Sequence, residues 1–396
     1  MTSFNCIKVL QTISDLTNQS GGPSTCTHDL MVGLQEIGAS VDLLTVTCTD
    51  PTVHNMGEGS TWLKEVPNDY RTPFVISQNA QCFLCENNYD LYHCNAIWMG
   101  INHDTCSIAR KKGKPYIISP HGMLYPTALK VHAWKKWILR ALWYEKDIHH
   151  ATCLHVTCEQ EREHCRSFGY KGPIAVIPNP VVFPEGVTLK TEVSLVNGRR
   201  QIGFLGRLHP IKKVENLLYG LALLSKEEQD KISLQIMGKY DDAYELWLRT
   251  ETRRLHLDDC VEFVGFVSGA DKYVRLSRLS ALMVPSEQEN FGMIVPEALI
   301  CGTPVYASLG TPWEELNKHH CGWWKDNNPS TIAEVIREVI SIPDTELLEM
   351  GGNGRKLMER NYEQHMVASM MKHLYEWIVN DKLSIETKPK FVDFVI

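Results

Sequence analysis

Short apolar runs alternate with longer amphipathic segments throughout the chain, and the alternation occurs in two series separated by one interruption. In the first series, the pattern predicts strands at 6–12, 41–46, 91–94, 115–119, 154–157 and 174–177, and helices at 24–37, 103–112, 129–149 and 159–167. In the second series, it predicts strands at 202–205, 232–237, 261–264, 281–284, 304–306 and 321–324, and helices at 214–225, 243–256, 294–301 and 330–341. Alternating strands and helices form parallel sheets that are covered on both faces. The sequence therefore predicts α/β architecture with two doubly wound parallel sheets.

The interruption at residues 179–200 begins with a turn-rich segment and continues with polar, weakly periodic sequence. A chain of 396 residues is long enough to form two domains with separate cores. We therefore expect two Rossmann-like domains that face a central cleft. The expected boundaries are 1–180 for the N-terminal domain, 181–200 for a linker, 201–362 for the C-terminal domain, and 363–396 for a helix and tail that cross back to the N-terminal domain.

The charge and hydropathy of the chain exclude several classes of protein. A net charge of −7 argues against general binding of nucleic acid. No stretch approaches the roughly 20 apolar residues that a membrane-spanning helix needs. The first residues lack the basic start and long apolar segment of a signal peptide. We therefore expect a cytoplasmic protein whose thirteen cysteines are reduced thiols.

Two glutamates, Glu289 and Glu297, flank a Phe-Gly turn that follows the predicted strand 281–284. The first lies on a loop, and the second lies in the first turn of a predicted helix. Ligands of doubly wound sheets bind beyond the carboxyl ends of the strands. Backbone N–H groups at a helix start attract phosphate, and a nearby carboxylate accepts hydrogen bonds from sugar hydroxyls. The segment therefore suggests a phosphorylated sugar as ligand, although acids in a first turn also simply complement the helix dipole.

A basic loop follows the first strand of the second series, where Gly206 and Arg207 are followed by Lys212. Arginine can engage two phosphate oxygens at once, and lysine supplies a mobile positive charge. This pair of cations suits a diphosphate, and the alternative is a solvated basic loop. The matching turn in the first series is Gly21-Gly22, which opens a helix but lacks the Gly-x-Gly-x-x-Gly pattern of a dinucleotide site.

His121 follows the predicted strand 115–119 and precedes a glycine, which places it at the edge of the first sheet where ligands bind. From there an imidazole could hydrogen-bond a sugar hydroxyl or transfer a proton, although a single histidine is more often structural. The chain has no Asp-x-Asp triplet that would suggest a metal clamp on a diphosphate. Any bound diphosphate would therefore rely on Arg207, Lys212 and a helix N-terminus.

The segment 130–146 is unusually basic for an acidic protein, because five cationic residues and one glutamate give it a net charge of +4. Trp134 and Trp137 share its apolar face. A basic, tryptophan-rich amphipathic helix can lie on an anionic membrane surface. The alternative is that the apolar face packs on the sheet and the cationic residues are merely solvated.

These motifs together resemble the retaining glycosyltransferases with the GT-B fold that form family 4, also called glycosyl transferases group 1. The family's Glu-x7-Glu motif is matched by Glu289 and Glu297, and its Gly-Arg-Leu loop with a following lysine is matched by residues 206–212. Residues 120–124 and 310–316 are similar to a bacterial subset that builds surface polysaccharides. The resemblance covers nearly the whole chain and implies an N-terminal acceptor-binding domain and a C-terminal nucleotide-sugar-binding domain.

The resemblance also implies roles for individual residues. His121 would lie beside the reacting carbon, and Glu289 would contact the transferred sugar. Arg207 and Lys212 would bind the donor's diphosphate, and Glu297 would bind the ribose hydroxyls. The remaining donor-binding residues would be Gly21 and Gly22 over the phosphates, Phe291, Gly292 and Met293 through their backbone, and Gly265 and Phe266 near the base.

The implied activity is metal-independent transfer, with retention, of a hexose-type sugar from a nucleoside diphosphate sugar to a saccharide acceptor. We expect a lipid-linked acceptor at the inner face of the cytoplasmic membrane, in surface polysaccharide or lipopolysaccharide biosynthesis, with no cofactor. The alternatives are a nucleotide-sugar 2-epimerase of the same fold and a non-catalytic sugar-nucleotide binding protein. The sequence departs from the family at Asn290 and Lys213, where glycine is usual. The second departure leaves open whether Lys212 or Lys213 reaches the phosphate.

Overall fold

A computed structural model describes residues 7–17, 21–48, 50, 52–69, 77–130 and 143–394. These residues form two compact units, which we call the N-terminal unit (1–182 together with 362–396) and the C-terminal unit (183–361). Most of the predicted membrane-surface helix, residues 131–142, lies outside the described residues.

The N-terminal unit begins with seven strands in the described part of the chain: β1 (Val9–Thr12), β2 (Val41–Val46), β3 (Leu63–Val66), β4 (Leu91–Asn95), β5 (Tyr116–Ser119), β6 (Cys153–Val156) and β7 (Ile174–Val176). The helices between them are α1 (Gly22–Glu36), α2 (Gln78–Glu86), α3 (Gly100–Lys111), α4 (Pro126–Lys130), α5 (Glu145–His149) and α6 (Glu159–Ser167). All seven strands are parallel, in the order β7-β6-β5-β4-β1-β2-β3. The order reverses between β1 and β4, which makes this position the switch point of a doubly wound sheet.

The C-terminal unit contains the strands β8 (Leu195–Val196), β9 (Arg199–Leu205), β10 (Ile232–Met237), β11 (Val261–Gly265), β12 (Ala281–Val284), β13 (Val305–Ser308) and β14 (Gly322–Lys325). Its helices are α7 (Val214–Ala222), α8 (Lys226–Gln229), α9 (Asp242–Arg254), α10 (Gly269–Arg278), α11 (Ile294–Ile300), α12 (Glu315–Lys318), α13 (Pro329–Ser341) and α14 (Asp344–Asn361). The order β11-β10-β9-β12-β13-β14 is parallel and reverses between β9 and β12, while β8 pairs antiparallel with β9.

The chain returns to the N-terminal unit through α15 (Gln364–Val379) and β15 (Val392–Asp393). β15 adds an antiparallel strand beside β7. α15 crosses α1 at Gly33, where a Cβ atom would lie 2.9 Å from Gln364 Cγ. The close crossing lets α15 pack its buried face, which includes Trp377 and Tyr375, on the same core as β1 and β4.

The two predicted doubly wound sheets are confirmed, but several predicted element positions were incomplete. Part of the expected linker 181–200 is strand, because β8 lies within it and β9 begins at Arg199. The sequence analysis missed β3, α2, α10 and α14. In α14, Gly351, Gly352 and Gly354 disrupt the helical pattern; a Cβ at Gly351 would lie 2.1 Å from Gly302 O, so close packing requires glycine there. Among the described residues, no helix is both long and apolar enough to cross a membrane.

Candidate functional site

The two motif-bearing loops of the C-terminal unit flank its switch point, because one follows β9 and the other follows β12. The adjoining strand ends are bare backbone. Gly206 N donates to Met237 O at 3.0 Å, and Gly238 N donates to Gly265 O at 2.7 Å. A Cβ at Gly238 would lie only 1.8 Å from Gly206 O, so position 238 cannot carry a side chain. The carboxyl ends of β9, β10 and β11 therefore leave a surface that a ligand can approach closely.

Lys212 and Glu289 form an ion pair between the two loops, and the side chains are 17% and 12% exposed respectively. Ser286 Oγ donates to the same carboxylate oxygen, Glu289 Oε1, at 2.7 Å. The loops are also joined by their backbones, because Glu287 N donates to Ile211 O at 2.8 Å. The ammonium of Lys212 is thereby held at the switch point within the C-terminal unit.

The neighbouring lysine has a different environment. Lys213 pairs with Glu287 at 3.2 Å, where the side chains are 33% and 57% exposed. Its backbone is left-handed, with φ 51° and ψ 38°. Glycine adopts this conformation without the steric cost that other residues incur. The geometry therefore favours Lys212 over Lys213 as the lysine that faces a ligand.

Arg207 is exposed at the end of β9, and its guanidinium carbon lies 5.1 Å from the ring centre of Tyr240. Tyr240 follows β10 and is 59% exposed, and Phe266 follows β11 and is 75% exposed. Exposed aromatic rings after adjacent strands suit stacking against a flat ligand. The sequence analysis named Phe266, adjoining the left-handed Gly265, but missed Tyr240.

Glu297 lies in the first turn of α11 and pairs with Lys272 of α10 at 2.8 Å. Both side chains are about four-fifths buried, at 21% and 19% exposure. Burial alone would lower the pKa of the Lys272 ammonium, but the Glu297 carboxylate outweighs burial and raises that pKa above its ordinary value. Lys272 therefore holds the Glu297 side chain in a fixed position, and it is a contact of this motif residue that the sequence analysis missed.

The turn at residues 291–293, between the two glutamates, is supported by contacts with Trp313. Phe291 is buried against Trp313, with ring centres 5.2 Å apart, and Trp313 Nε1 donates to Phe291 O at 2.5 Å. Gly292 is left-handed, with φ 75°. Met293 precedes α11 directly. Trp313 belongs to the 310–316 motif, so this motif supports the turn at 291–293 from within the protein core.

In the N-terminal unit, His121 lies on the turn after β5 with a left-handed backbone, φ 49°. The turn is held by the buried Glu161, whose Oε1 accepts from Gly122 N at 2.6 Å and whose Oε2 accepts from Thr157 N at 2.9 Å. The loss of water around the ring, together with nearby His155, lowers the pKa of His121 to about 3. The imidazole is therefore neutral at physiological pH, so one ring nitrogen can donate a hydrogen bond and the other can accept one or take up a proton.

Gly21 and Gly22 lie at the start of α1, where Gly21 is left-handed with φ 87°. Among the described residues other than the chain neighbours, no atom lies within 4 Å of a Cβ built at either position. The turn is tied to the end of β1 through Ser24 Oγ, which donates to Asp15 O at 2.6 Å. Its backbone is therefore fixed and accessible, as an anion-contacting turn requires.

Two family models match the chain. The model for glycosyl transferases group 1 matches residues 188–357, and the glycosyl transferase 4-like domain matches residues 21–180. Both matches fall on the units that carry the loops described above.

Some individual relatives match nearly the whole chain, and others match less than half of it. An uncharacterized glycosyltransferase of Methanocaldococcus jannaschii is 22% identical over 387 residues, covering 93% of both chains. A GDP-mannose-dependent phosphatidylinositol dimannoside mannosyltransferase of Mycobacterium tuberculosis is 28% identical over 176 residues, covering 42% of this chain and 45% of the relative. Among solved structures, HepE of Anabaena in complex with UDP and glucose has a TM-score of 0.73 at 18% identity, covering 93% of this chain and 99% of HepE.

Proposed function

The chain belongs to the glycosyl transferases group 1 family, as a nucleotide-sugar glycosyltransferase with the GT-B fold, and on this premise we propose a retaining hexosyltransferase that needs no metal. The observation that carries the proposal is the pair of loops at the switch point of the C-terminal unit, where Lys212 meets Glu289. The donor is a nucleoside diphosphate hexose, and the acceptor is a lipid-linked saccharide in surface polysaccharide synthesis.

In this proposal the cations act on the leaving diphosphate. As the glycosidic bond breaks, negative charge grows on the phosphate oxygen that leaves. Lys212 has three N–H donors, so it can serve Glu289 and a phosphate oxygen together. Arg207 adds a second cation at the end of β9, and backbone groups of 291–293 complete the contacts. Fixed charges of this kind stabilise the transition state more than the ground state.

In this proposal the nucleoside is bound by groups along the same edge of the sheet. Glu297, fixed by Lys272, accepts hydrogen bonds from the ribose hydroxyls. Tyr240 and Phe266 offer exposed rings beside Gly265 for stacking on the base. In the C-terminal unit, Glu289 is the proposed contact to the transferred sugar. In the N-terminal unit, His121 is the proposed sugar-binding side chain. No protein nucleophile is assigned, so the acceptor hydroxyl attacks on the face that the diphosphate leaves, and the leaving phosphate accepts its proton.

The direct test is incubation of the purified protein with UDP-glucose or GDP-mannose, with and without an extract of lipid-linked saccharides. A transferase releases free nucleoside diphosphate only when acceptor is present. An isomerised donor would instead identify an epimerase, and a donor that raises the melting temperature but is neither transferred nor isomerised would identify a binding protein. The base is found by comparing melting temperatures with UDP, GDP, dTDP and ADP, because a ligand stabilises by RT ln(1 + [L]/Kd).

Metal independence has its own test. Arg207 and Lys212 supply the positive charge on the diphosphate in this proposal. Turnover in about 5 mM EDTA should therefore stay within roughly twofold of the untreated rate. The rate with added Mg²⁺ should be the same. A large loss that Mg²⁺ restores would show that a divalent cation, and not only these side chains, neutralises the leaving group.

A further inference from the structure

A continuous run of buried polar side chains crosses the core of the N-terminal unit. Five of them extend from the same face of adjacent strands β1, β4, β5 and β6, and a sixth comes from α15. The participants are Gln11, His93, Asn95, Ser119, His155 and Tyr375, all of which are buried. The run begins at the ring of His121 and ends at the backbone carbonyl of Ile177.

Every link in this run lies within hydrogen-bonding distance. The successive distances are 3.4 Å from His121 Nε2 to Asn95 Oδ1, 2.9 Å from Asn95 Nδ2 to Gln11 Oε1, 3.0 Å from Gln11 Nε2 to Tyr375 Oη, 2.9 Å from Tyr375 Oη to His93 Nδ1, 2.6 Å from His93 Nε2 to Ser119 Oγ, 2.7 Å from Ser119 Oγ to His155 Nδ1, and 2.9 Å from His155 Nε2 to Ile177 O. The first link is the longest, and such contacts often shorten when substrate binds.

The far end of the run determines the direction of every hydrogen bond. A carbonyl can only accept, so His155 must donate from Nε2, and its neutral ring leaves Nδ1 as an acceptor. Ser119 must then donate to His155, which makes it the acceptor for His93 Nε2. His93 Nδ1 is left as an acceptor, so Tyr375 must donate to it.

The same logic continues toward the site. Because the Tyr375 hydroxyl proton is committed to His93, its oxygen accepts from the Gln11 amide nitrogen. The Gln11 oxygen then accepts from the Asn95 nitrogen, and the Asn95 oxygen faces His121 Nε2. An amide oxygen can only accept, so His121 Nε2 must carry the proton.

We propose that this run fixes the tautomer of His121, and that Tyr375 and Gln11 are positioning residues that present the unprotonated Nδ1 of His121 to the transferred sugar. The inference rests on the glycosyltransferase function proposed above. It assigns the C-terminal helix α15 a role in the reaction, because the hydroxyl of Tyr375 joins the two halves of the run. A histidine's reactive nitrogen is set by the hydrogen bond that the other nitrogen makes.

Stability alone does not explain why these buried positions carry polar side chains. A buried polar group destabilises the fold unless it finds hydrogen-bond partners, and replacing both partners by apolar groups of the same shape can be nearly neutral. The same sheet face is apolar toward the other strand ends, at Val9, Leu91 and Ile117. Burial also holds the pKa of His155 at about 4 and that of His93 well below its usual range. The rings are therefore neutral, as the directions of the hydrogen bonds require.

The test is nitrogen NMR of the protein labelled with ¹⁵N-histidine, with the His121 signals identified by their loss in His121→Gln. In the wild type we expect His121 to be the single tautomer with a protonated Nε2. Tyr375→Phe removes the acceptor for Gln11, so both side-chain amides can rotate and His121 should become a mixture of tautomers. Turnover should fall about 2- to 10-fold at unchanged donor KM, since only part of the population presents Nδ1.

Two further variants make the outcome decisive. Gln11→Met cuts the run nearer His121 without altering α15 and should give the same mixture. Tyr170→Phe is the matched control, because Tyr170 is equally buried in this unit and its hydroxyl donates only to Ala151 O at 2.9 Å. A wild-type ring protonated on Nδ1, or an unchanged tautomer in both Tyr375→Phe and Gln11→Met, would overturn the proposal. If the wild type turns over neither UDP-glucose nor GDP-mannose, the proposed donors fail, while the NMR result still decides the tautomer.

Discussion

Lys212→Gln should lower kcat by at least about 10²-fold, which is the loss typical when one hydrogen-bond donor to the transition state is removed. The Lys212 ammonium lies at the switch point in contact with Glu289, where a diphosphate would lie between the loops after β9 and β12. Because the charge on the leaving phosphate grows during the reaction, kcat should fall more than donor KM rises. The measurement is steady-state release of nucleoside diphosphate with donor and acceptor.

The adjacent lysine gives a matched control. Lys213→Gly removes an exposed ion pair, which contributes at most about 1 kcal/mol, and relieves a left-handed backbone that costs about as much. Turnover of this variant should stay within about twofold of the wild type. Equal losses in the two variants would contradict the assignment of the phosphate contact to Lys212.

Loss of Lys212 also leaves the Glu289 carboxylate without its cation in a mostly buried position. A buried charge without a partner destabilises the fold. The double variant Lys212→Gln/Glu289→Gln, which also removes the proposed sugar contact, should recover the melting temperature while turnover stays low, so lost stability would not be the cause of the lost turnover. Recovery of turnover in the double variant would mean that Lys212 acts only by neutralising Glu289.

The sequence predicted those parts of the site whose residues lie together on a single loop. The segments 206–212 and 286–297 each follow a strand, and parallel strands bring their carboxyl ends to one edge. Local pattern therefore indicated both loops. It did not indicate the strand order, which puts β9 beside β12 and so joins Lys212 to Glu289 across 77 residues of sequence.

The residues missed by the sequence analysis are those whose partners come from distant elements. Lys272 lies on α10, a short helix that the sequence pattern did not reveal, and only its packing beside α11 brings it to Glu297. His93 had no recognisable context, because its partner Tyr375 lies 282 residues away on α15. Such contacts depend on how helices pack against a finished sheet, and local periodicity carries no information about that.

For His121, the sequence predicted the position in the fold but not the protonation state of the ring. Its position at a strand end with a following glycine was enough to nominate it. Its protonation and tautomer are set by burial and by a run of hydrogen bonds that draws on four strands and one helix. These properties are tertiary, so they follow from the structure alone.

Glu297→Ala should weaken binding of the preferred nucleoside diphosphate about 10- to 100-fold, because hydrogen bonds to a charged acceptor contribute about 1.5–3 kcal/mol. The carboxylate is held by Lys272 in the first turn of α11, so its oxygens are fixed before the ligand arrives. The measurement is calorimetric titration with whichever of UDP, GDP, dTDP or ADP raises the melting temperature most.

Glu314→Ala is the control, because Glu314 pairs with Lys318 in the same unit but on the surface, where both side chains are more than half exposed. Its affinity for the nucleotide should equal that of the wild type.

Glu297→Ala also leaves the Lys272 cation about four-fifths buried without its partner, so some loss of stability is expected. Lys272→Met tests this, because it breaks the same ion pair while keeping the carboxylate. If Lys272→Met weakens nucleotide binding as much as Glu297→Ala does, the ion pair acts through the fold; if it weakens binding much less, the carboxylate itself contacts the ribose.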